Sequence, residues 1–250
     1  MPVCQGDHVV TGTKMLSSLL ADDGAEMLLI PAGDFRIGIS DESLEYLAGT
    51  RDRAKRFRIG HDELRPRSIN LPDFYIDKYP VTNEQYRRFL KSSGYRKIPN
   101  KLDSSIWGSD RQPVVAIDWK DAEAYAAWCG KKLPSEEEWE KAARGTDGWL
   151  FPWGDEIHER RCNCFEAGLE CTSVVGSFPK GTSPFGVHDM AGNVWELTTG
   201  EFDNSSRAMK GGCFLTYVRF CRASARWAPS KEELDKGANW LGFRCVRDAT

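Results

Sequence analysis

What most constrains this chain is a break in texture at Gly145. Before it, three stretches carry the start and stop signals of short helices. After it, residues 146–250 show no apolar repeat at helical spacing and are dense in Gly, Pro, Trp and Cys. A segment this long without a helical period builds its core from short strands and long loops pinned by large aromatic side chains. With 250 residues, folding hides roughly 70–75% of the unfolded surface, enough for a core without covalent staples. No repeat, low-complexity tract or linker divides the chain. One compact α+β domain over residues 27–250 is expected, behind a lead-in at 1–26.

The helical half is legible in detail. Thr82 and Gln85 have capping-box spacing, followed by an apolar stripe of Tyr86, Phe89 and Leu90. Asp118 caps a second helix, with Ala122, Tyr125, Ala126 and Cys129 on one face and Gly130 as its stop. Ser135 and Glu138 form another box, and Glu136, Glu137 and Glu138 face the positive end of the helix dipole. Gly145 closes that helix. Upstream, Met27–Gly38 reads as two short strands broken at Pro31-Ala32-Gly33, and Ser68–Asp77 as one strand by its alternation. The charged stretch 40–66 reads as an insertion or surface loop.

Charge and hydropathy exclude several classes. The net charge is −3, so nothing draws the whole surface to nucleic acid or to an anionic membrane. The basic run Arg51–Arg58 reads as a solvated loop, with a phosphate or partner patch as the alternative. No run of about 18 apolar residues is present. The first residues lack the basic start and apolar run of a secretory signal, which points to the cytoplasm. In that setting the eight cysteines are expected to be reduced. Cys162 and Cys164 form C-x-C, which is not zinc spacing, and no second pair completes a metal set. A Cys164–Cys171 pairing or free loop thiols remain open. His8, His61, His158 and His188 share no ligand spacing, and no phosphate-binding loop, nucleophile elbow or dinucleotide fingerprint is present.

Six segments in order resemble the formylglycine-generating enzyme, or sulfatase-modifying factor, family: PVTNEQYRRFL (80–90), PVVAIDWKDAEAYAAWCGKKLPSEEEWEKAARG (113–145), FPWGD (151–155), SPFGVHDMAGNVWELT (183–198), KGGCF (210–214) and LGFRCV (241–246). The resemblance implies a C-type-lectin-like α+β fold with little regular structure. On that scaffold Trp119, Trp128, Trp139, Trp153 and Trp195 are expected as buried anchors. Gly211 and Gly212 are expected at a tight bend, and Gly242 at a close strand contact.

The resemblance also implies structural calcium. Asp189 to Glu196 matches the family's calcium loop. The side chains of Asp189 and Glu196 and the carbonyls of Gly192 and Val194 stand at the ligand positions, an oxygen set that suits a hard cation. A second site would use Asn163 and the Cys164 carbonyl, but the loop that completes it is short here.

For chemistry, the oxidase branch of the family oxidises a substrate cysteine with O₂, using Cu(I) held by two cysteines five residues apart. Soft thiolates suit that ion. Matched without gaps, the first of those positions falls on Thr216 and the second on Cys221; with Ala223–Arg226 matched to the family's Ala-Ala-Arg, Gly211–Arg226 is three residues shorter than the oxidase pattern and Cys221 is not the second cysteine either. Cys213 and Cys221 are the local thiols, eight apart. The shorter spacing resembles non-oxidase members, among them retroelement variable proteins that bind diverse partners. On that reading Leu215, Thr216, Tyr217, Phe220, Trp227 and Trp240 form a contact surface for a protein or small-molecule ligand. The charged, helix-prone Lys231–Lys236 departs from the Asn-rich variable pattern. The competing reading is a metal- and O₂-dependent oxidoreductase working through Cys221 or Cys213.

Overall fold

The computed structural model describes residues 17–49, 63–203, 206–230, 233 and 238–249. The basic run Arg51–Arg58, Cys4, His8, His61 and all of Lys231–Lys236 except Glu233 lie outside the described residues.

All three anticipated helices form where their caps put them. Asn83–Ser93 (α2) starts at Thr82, whose side chain accepts from Gln85 N while Gln85 closes the reciprocal bond. Trp119–Trp128 (α3) has the same box between Asp118 and Asp121, and Glu136–Arg144 (α4) has it between Ser135 and Glu138. A shorter helix, Asp41–Ala48 (α1), corrects the expectation of a loop at 40–66. Ser40 caps it, Gly49 ends it in the left-handed region, and Leu44 and Leu47 are buried. Eight residues with two inward leucines give too short an apolar stripe to stand out among charges.

Among the described residues ten strands form three sheets. Ser18–Leu20 (β1), within the expected lead-in, pairs antiparallel with Glu26–Ile30 (β2). Phe74–Asp77 (β5) lies between β2 and the C-terminal strand Val246–Asp248 (β10), giving the order β1-β2-β5-β10. Gly33–Ile37 (β3) pairs with Arg67–Leu71 (β4). The single strand expected at 68–77 is therefore two strands in two sheets. They part at Pro72, which has no N–H to continue a ladder. The third sheet has the order β8-β7-β6-β9, built from Arg226–Trp227 (β8), Arg207–Lys210 (β7), Trp195–Glu201 (β6) and Leu241–Gly242 (β9).

Three apolar clusters fill the spaces between these elements. The largest gathers Tyr86, Phe89 and Tyr125 from α2 and α3 against Leu197, Met209 and Phe243. A second packs Trp139, Ala142 and Ala143 of α4 on Ile30, Phe74 and Ile76. The third lies under α1, where Leu44, Leu47 and Phe151 meet Cys162, Cys164 and Cys221. Of the five expected tryptophan anchors, Trp139 and Trp195 are buried, while Trp119, Trp128 and Trp153 are half-buried. Buried charges also cross-link the layers. Glu140 of α4 accepts from Arg144 and Lys210, all out of solvent, and holds Gly38 N at 2.7 Å.

Candidate functional site

Strand β7 runs straight into the segment that carries most of the predicted site. Gly211 and Gly212 both have positive φ, at 95° and 76°. A Cβ on Gly212 would lie 2.6 Å from Cys221 Sγ, so only glycine lets the chain pass there. A turn follows. Cys213 N donates to Thr216 Oγ1 at 3.1 Å, and Thr216 N donates to Cys213 O at 2.9 Å. Cys213 Sγ lies 3.4 Å from Thr216 Oγ1 and accepts from Leu215 N. Burial pushes the Cys213 thiol up.

Cys221 closes the 3₁₀ turn Val218–Phe220. Its thiol is fully buried, near the carbonyls of Thr216 and Tyr217, and burial pushes it up too. Its side-chain partner is Cys162, which also contacts Cys164. The two cysteines of the segment thus face different neighbours, Cys213 toward Thr216 and Cys221 toward Cys162. Seven cysteines, including Cys164 and Cys171, are free. Among the described residues no group of three or more His, Cys, Asp or Glu is arranged to hold a metal ion.

A second segment covers this one. Phe165 N donates to Thr216 O at 2.9 Å, and Glu166 Oε2 accepts from Val218 N at 2.9 Å. Phe165 stacks at a tilt on Tyr217, ring centres 4.6 Å apart. Phe165, Leu215 and Tyr217 are 50%, 51% and 50% exposed, an apolar patch beside the turn. The other predicted contact residues lie elsewhere. Trp227 and Trp240 stack at 5.3 Å, and Trp227 reaches Trp195 at 5.8 Å. Thr216 and Phe220 are half-buried, and the Arg222 guanidinium lies over the Phe220 ring. Of the six predicted residues, Leu215 and Tyr217 join the apolar patch and Trp227 and Trp240 the tryptophan cluster, while Thr216 and Phe220 belong to neither.

The loop 189–196 is held as tightly. Asp189, Gly192 and Asn193 all have positive φ. A Cβ on Gly192 would collide with the Asn163 carbonyl, which accepts from Asn193 N at 2.7 Å. The Gly192–Val194 backbone thereby lies against the Asn163 loop. Asp189 Oδ2 accepts from Gly176 N at 2.7 Å, and burial pushes its carboxyl up to about 6. Asn163 donates to Cys171 O and Asn193 Oδ1, but its own Oδ1 is buried without a partner. Glu196 is engaged on both oxygens: Arg244 donates at 2.6 and 2.7 Å, and Trp139 Nε1 at 2.8 Å.

Sequence reasoning passed over Arg244, Phe165 and the convergence of Cys162 with Cys221. Arg244 sat in view within LGFRCV, and a buried Arg beside a motif Glu is a signal worth reading. The thiol contact joins residues 59 apart in sequence, which no local spacing reveals.

Comparison with known proteins places this arrangement. The profile of the Sulfatase-modifying factor enzyme 1-like domain matches residues 14–249. The serine/threonine-protein kinase Pkn1 of Chlamydia trachomatis serovar L2 is 33% identical over 89% of this chain, which spans only 38% of that relative's length. The formylglycine-generating enzyme of Thermomonospora curvata is 30% identical, over 89% of this chain and 93% of that enzyme. Among solved structures, PvdO from Pseudomonas aeruginosa superposes with a TM-score of 0.74 at 26% identity, covering 95% of this chain and 100% of PvdO.

Proposed function

The chain belongs to the sulfatase-modifying factor enzyme 1-like family, with its C-type-lectin-like α+β fold, and from that premise we propose that it is a binding member of the family and not a copper oxidase. The observation that carries this reading is the environment of Thr216. Its hydroxyl caps Cys213 N and lies against Cys213 Sγ, while the Cys221 thiol turns inward to Cys162. A two-thiolate Cu(I) site at that spacing lacks one sulfur and has the other buried, so the donor set does not fit the ion. What the segment turns outward is apolar: Leu215 and Tyr217, with Phe165 alongside. Exposed aromatic groups held by backbone hydrogen bonds make ready anchors for a protein or small-molecule ligand. Among the described residues no helix is long and apolar enough to cross a membrane.

The test is an oxidase assay on a sulfatase-type Cys-x-Pro-x-Arg peptide with Cu(I) and O₂, beside the Thermomonospora enzyme as control. We expect the control to yield aldehyde and this chain to leave the thiol intact. Aldehyde formation, lost in Cys221→Ser or Cys213→Ser, would establish the oxidoreductase reading instead. The full-length agreement with a formylglycine-generating enzyme is the observation that favours that alternative.

A structural calcium ion belongs to the same proposal. At the first of the two expected calcium positions the buried acid Asp189 suits an oxygen-seeking cation, and at the second so does the buried, unpartnered Asn163 Oδ1. The Glu196 carboxylate does not, because a guanidinium already neutralises it. Calcium at about 100 times its Kd is expected to stabilise the fold by about 2.7 kcal/mol, a rise of about 5–10 °C in Tm. Asn163→Ala should erase most of that rise. Identical melting in calcium and in EDTA would remove the ion from the reading.

A further inference from the structure

Three cysteines from two remote segments meet in the core cluster under α1. Cys162 and Cys164 flank Asn163 between the 3₁₀ turns Glu159–Arg161 and Phe165–Ala167, and Cys221 ends the turn Val218–Phe220. The Cys162 side chain is in contact with Cys164 on one side and Cys221 on the other. All three are buried and unbridged. With no three-ligand metal arrangement among the described residues, what this geometry supports is dithiol chemistry.

We propose that Cys162 and Cys221 form a redox lock that fastens the 162–168 loop to the 213–221 segment and so regulates the surface carried by Leu215 and Tyr217. The regulatory role rests on the binding function proposed above; the cross-link itself does not. Two observations favour Cys221 over Cys164 as the partner. First, Asn163 is pinned between the C-x-C thiols, its side chain donating to Cys171 O and its carbonyl accepting from Asn193 N. A bridge across one pinned residue would have to bend that backbone, whereas a bridge between separate segments does not. Second, those segments are already tied together a few residues from the thiols, by Phe165 N to Thr216 O and by Val218 N to Glu166 Oε2.

Burial restricts the oxidant to something small, and because it also holds the thiols protonated, a hydroperoxide reacts slowly and must be in excess. One thiol reduces hydrogen peroxide, becoming a sulfenic acid and releasing water. The second thiol attacks the sulfenic sulfur, the S–S bond forms, and the hydroxyl leaves as a second water with that thiol's proton. Two electrons pass from the thiols to the peroxide. A dithiol reductant reverses the step by exchange. With the bridge closed, the loop bearing Phe165 cannot separate from the segment bearing Tyr217.

The full chain is treated with hydrogen peroxide under native conditions, quenched with catalase, denatured in N-ethylmaleimide, digested and analysed by mass spectrometry. The expected result is two fewer alkylated thiols and a linked pair of peptides joining Cys162 to Cys221. The link should persist in Cys164→Ser and Cys171→Ser and vanish in Cys221→Ser. In the same samples, amide hydrogen exchange across 213–221 should slow on oxidation and recover with dithiothreitol. A link confined to Cys162 and Cys164, full alkylation of every cysteine, or unchanged exchange across 213–221 would overturn the proposal. None of these readouts needs a ligand, so the lock can fail while the binding reading stands. Aldehyde formation in the peptide assay would sink the binding reading and leave the cross-link untouched.

Discussion

Lys131→Met is expected to lower stability by about 3–5 kcal/mol at neutral pH, because it removes the one cation from a buried pair of carboxylates. Lys131 Nζ donates to both oxygens of Asp23, at 2.8 and 2.7 Å, and to Asp77 Oδ1 at 2.8 Å. All three side chains are out of solvent. Tyr125 OH and Ala25 N complete the shell of Asp23, and Cys245 N that of Asp77. The two acids titrate in opposite directions although they share a cation. Both are opposed by burial, but Asp23 is held below its ordinary value by Lys131. Asp77 is pushed up to about 6, by burial first and by the charge of Asp23 besides. Lys131 grips Asp23 with two contacts and Asp77 with one, so the direction of each shift follows the geometry.

The pH dependence has a definite sign. A carboxyl raised in the folded state favours folding below its unfolded value and loses that contribution as pH rises through the folded one. Asp77 therefore weakens the fold between about pH 4 and pH 6. Asp23, which is depressed, contributes above its unfolded value and loses that only in stronger acid. Without Lys131 both acids move up, so Lys131→Met should be most damaged at pH 7 and recover part of the loss near pH 4.5. Denaturant titration at the two pH values measures this. Equal losses at both would mean that Lys131 acts through packing alone.

Arg244→Leu is expected to cost a similar amount, about 3–5 kcal/mol. Arg244 is fully buried and donates to both Glu196 oxygens and to the carbonyls of Asp77, Lys78 and His188. It thereby joins β5, β6 and the loop before Asp189. The single variant leaves Glu196 charged, out of water and held by Trp139 alone. The double variant Glu196→Gln with Arg244→Leu removes that charge and should be the more stable of the two by about 1–3 kcal/mol. If single and double variants unfold at the same denaturant concentration, Arg244 contributes through its carbonyl contacts and not by neutralising Glu196.

Helices α2, α3 and α4 were legible because their signals are local, whereas α1, though capped by Ser40, reads as loop from the sequence. Thr82 and Gln85, Asp118 and Asp121, and Ser135 and Glu138 each satisfy one another within four residues, so spacing alone declares them. The family was legible through motif order. Within the site, the tight bend at Gly211 and Gly212 could be read directly. The rest depends on distance in sequence. The pairing of β3 with β4 joins residues on either side of α1, and the split at Pro72 sends one apparent strand into two sheets. Whether Cys221 faces Cys213 or Cys162 depends on how the 159–168 loop folds back. The neutralisation of Glu196 by Arg244 joins residues 48 apart. Alternation and capping carry no information about such partners, because tertiary packing selects them.

The order β1-β2-β5-β10 also bears on biosynthesis. Strand β5 has β2 on one side and the final strand β10 on the other, 169 residues further along the chain from Asp77 to Val246. On the ribosome, strand β5 keeps an open edge until residues 246–248 leave the exit tunnel. Only then can Arg244 and Cys245 reach Glu196 and Asp77. The nascent chain must therefore keep Asp77 and Glu196 without these partners until Arg244 and Cys245 emerge, and it completes their burial as the sheet closes.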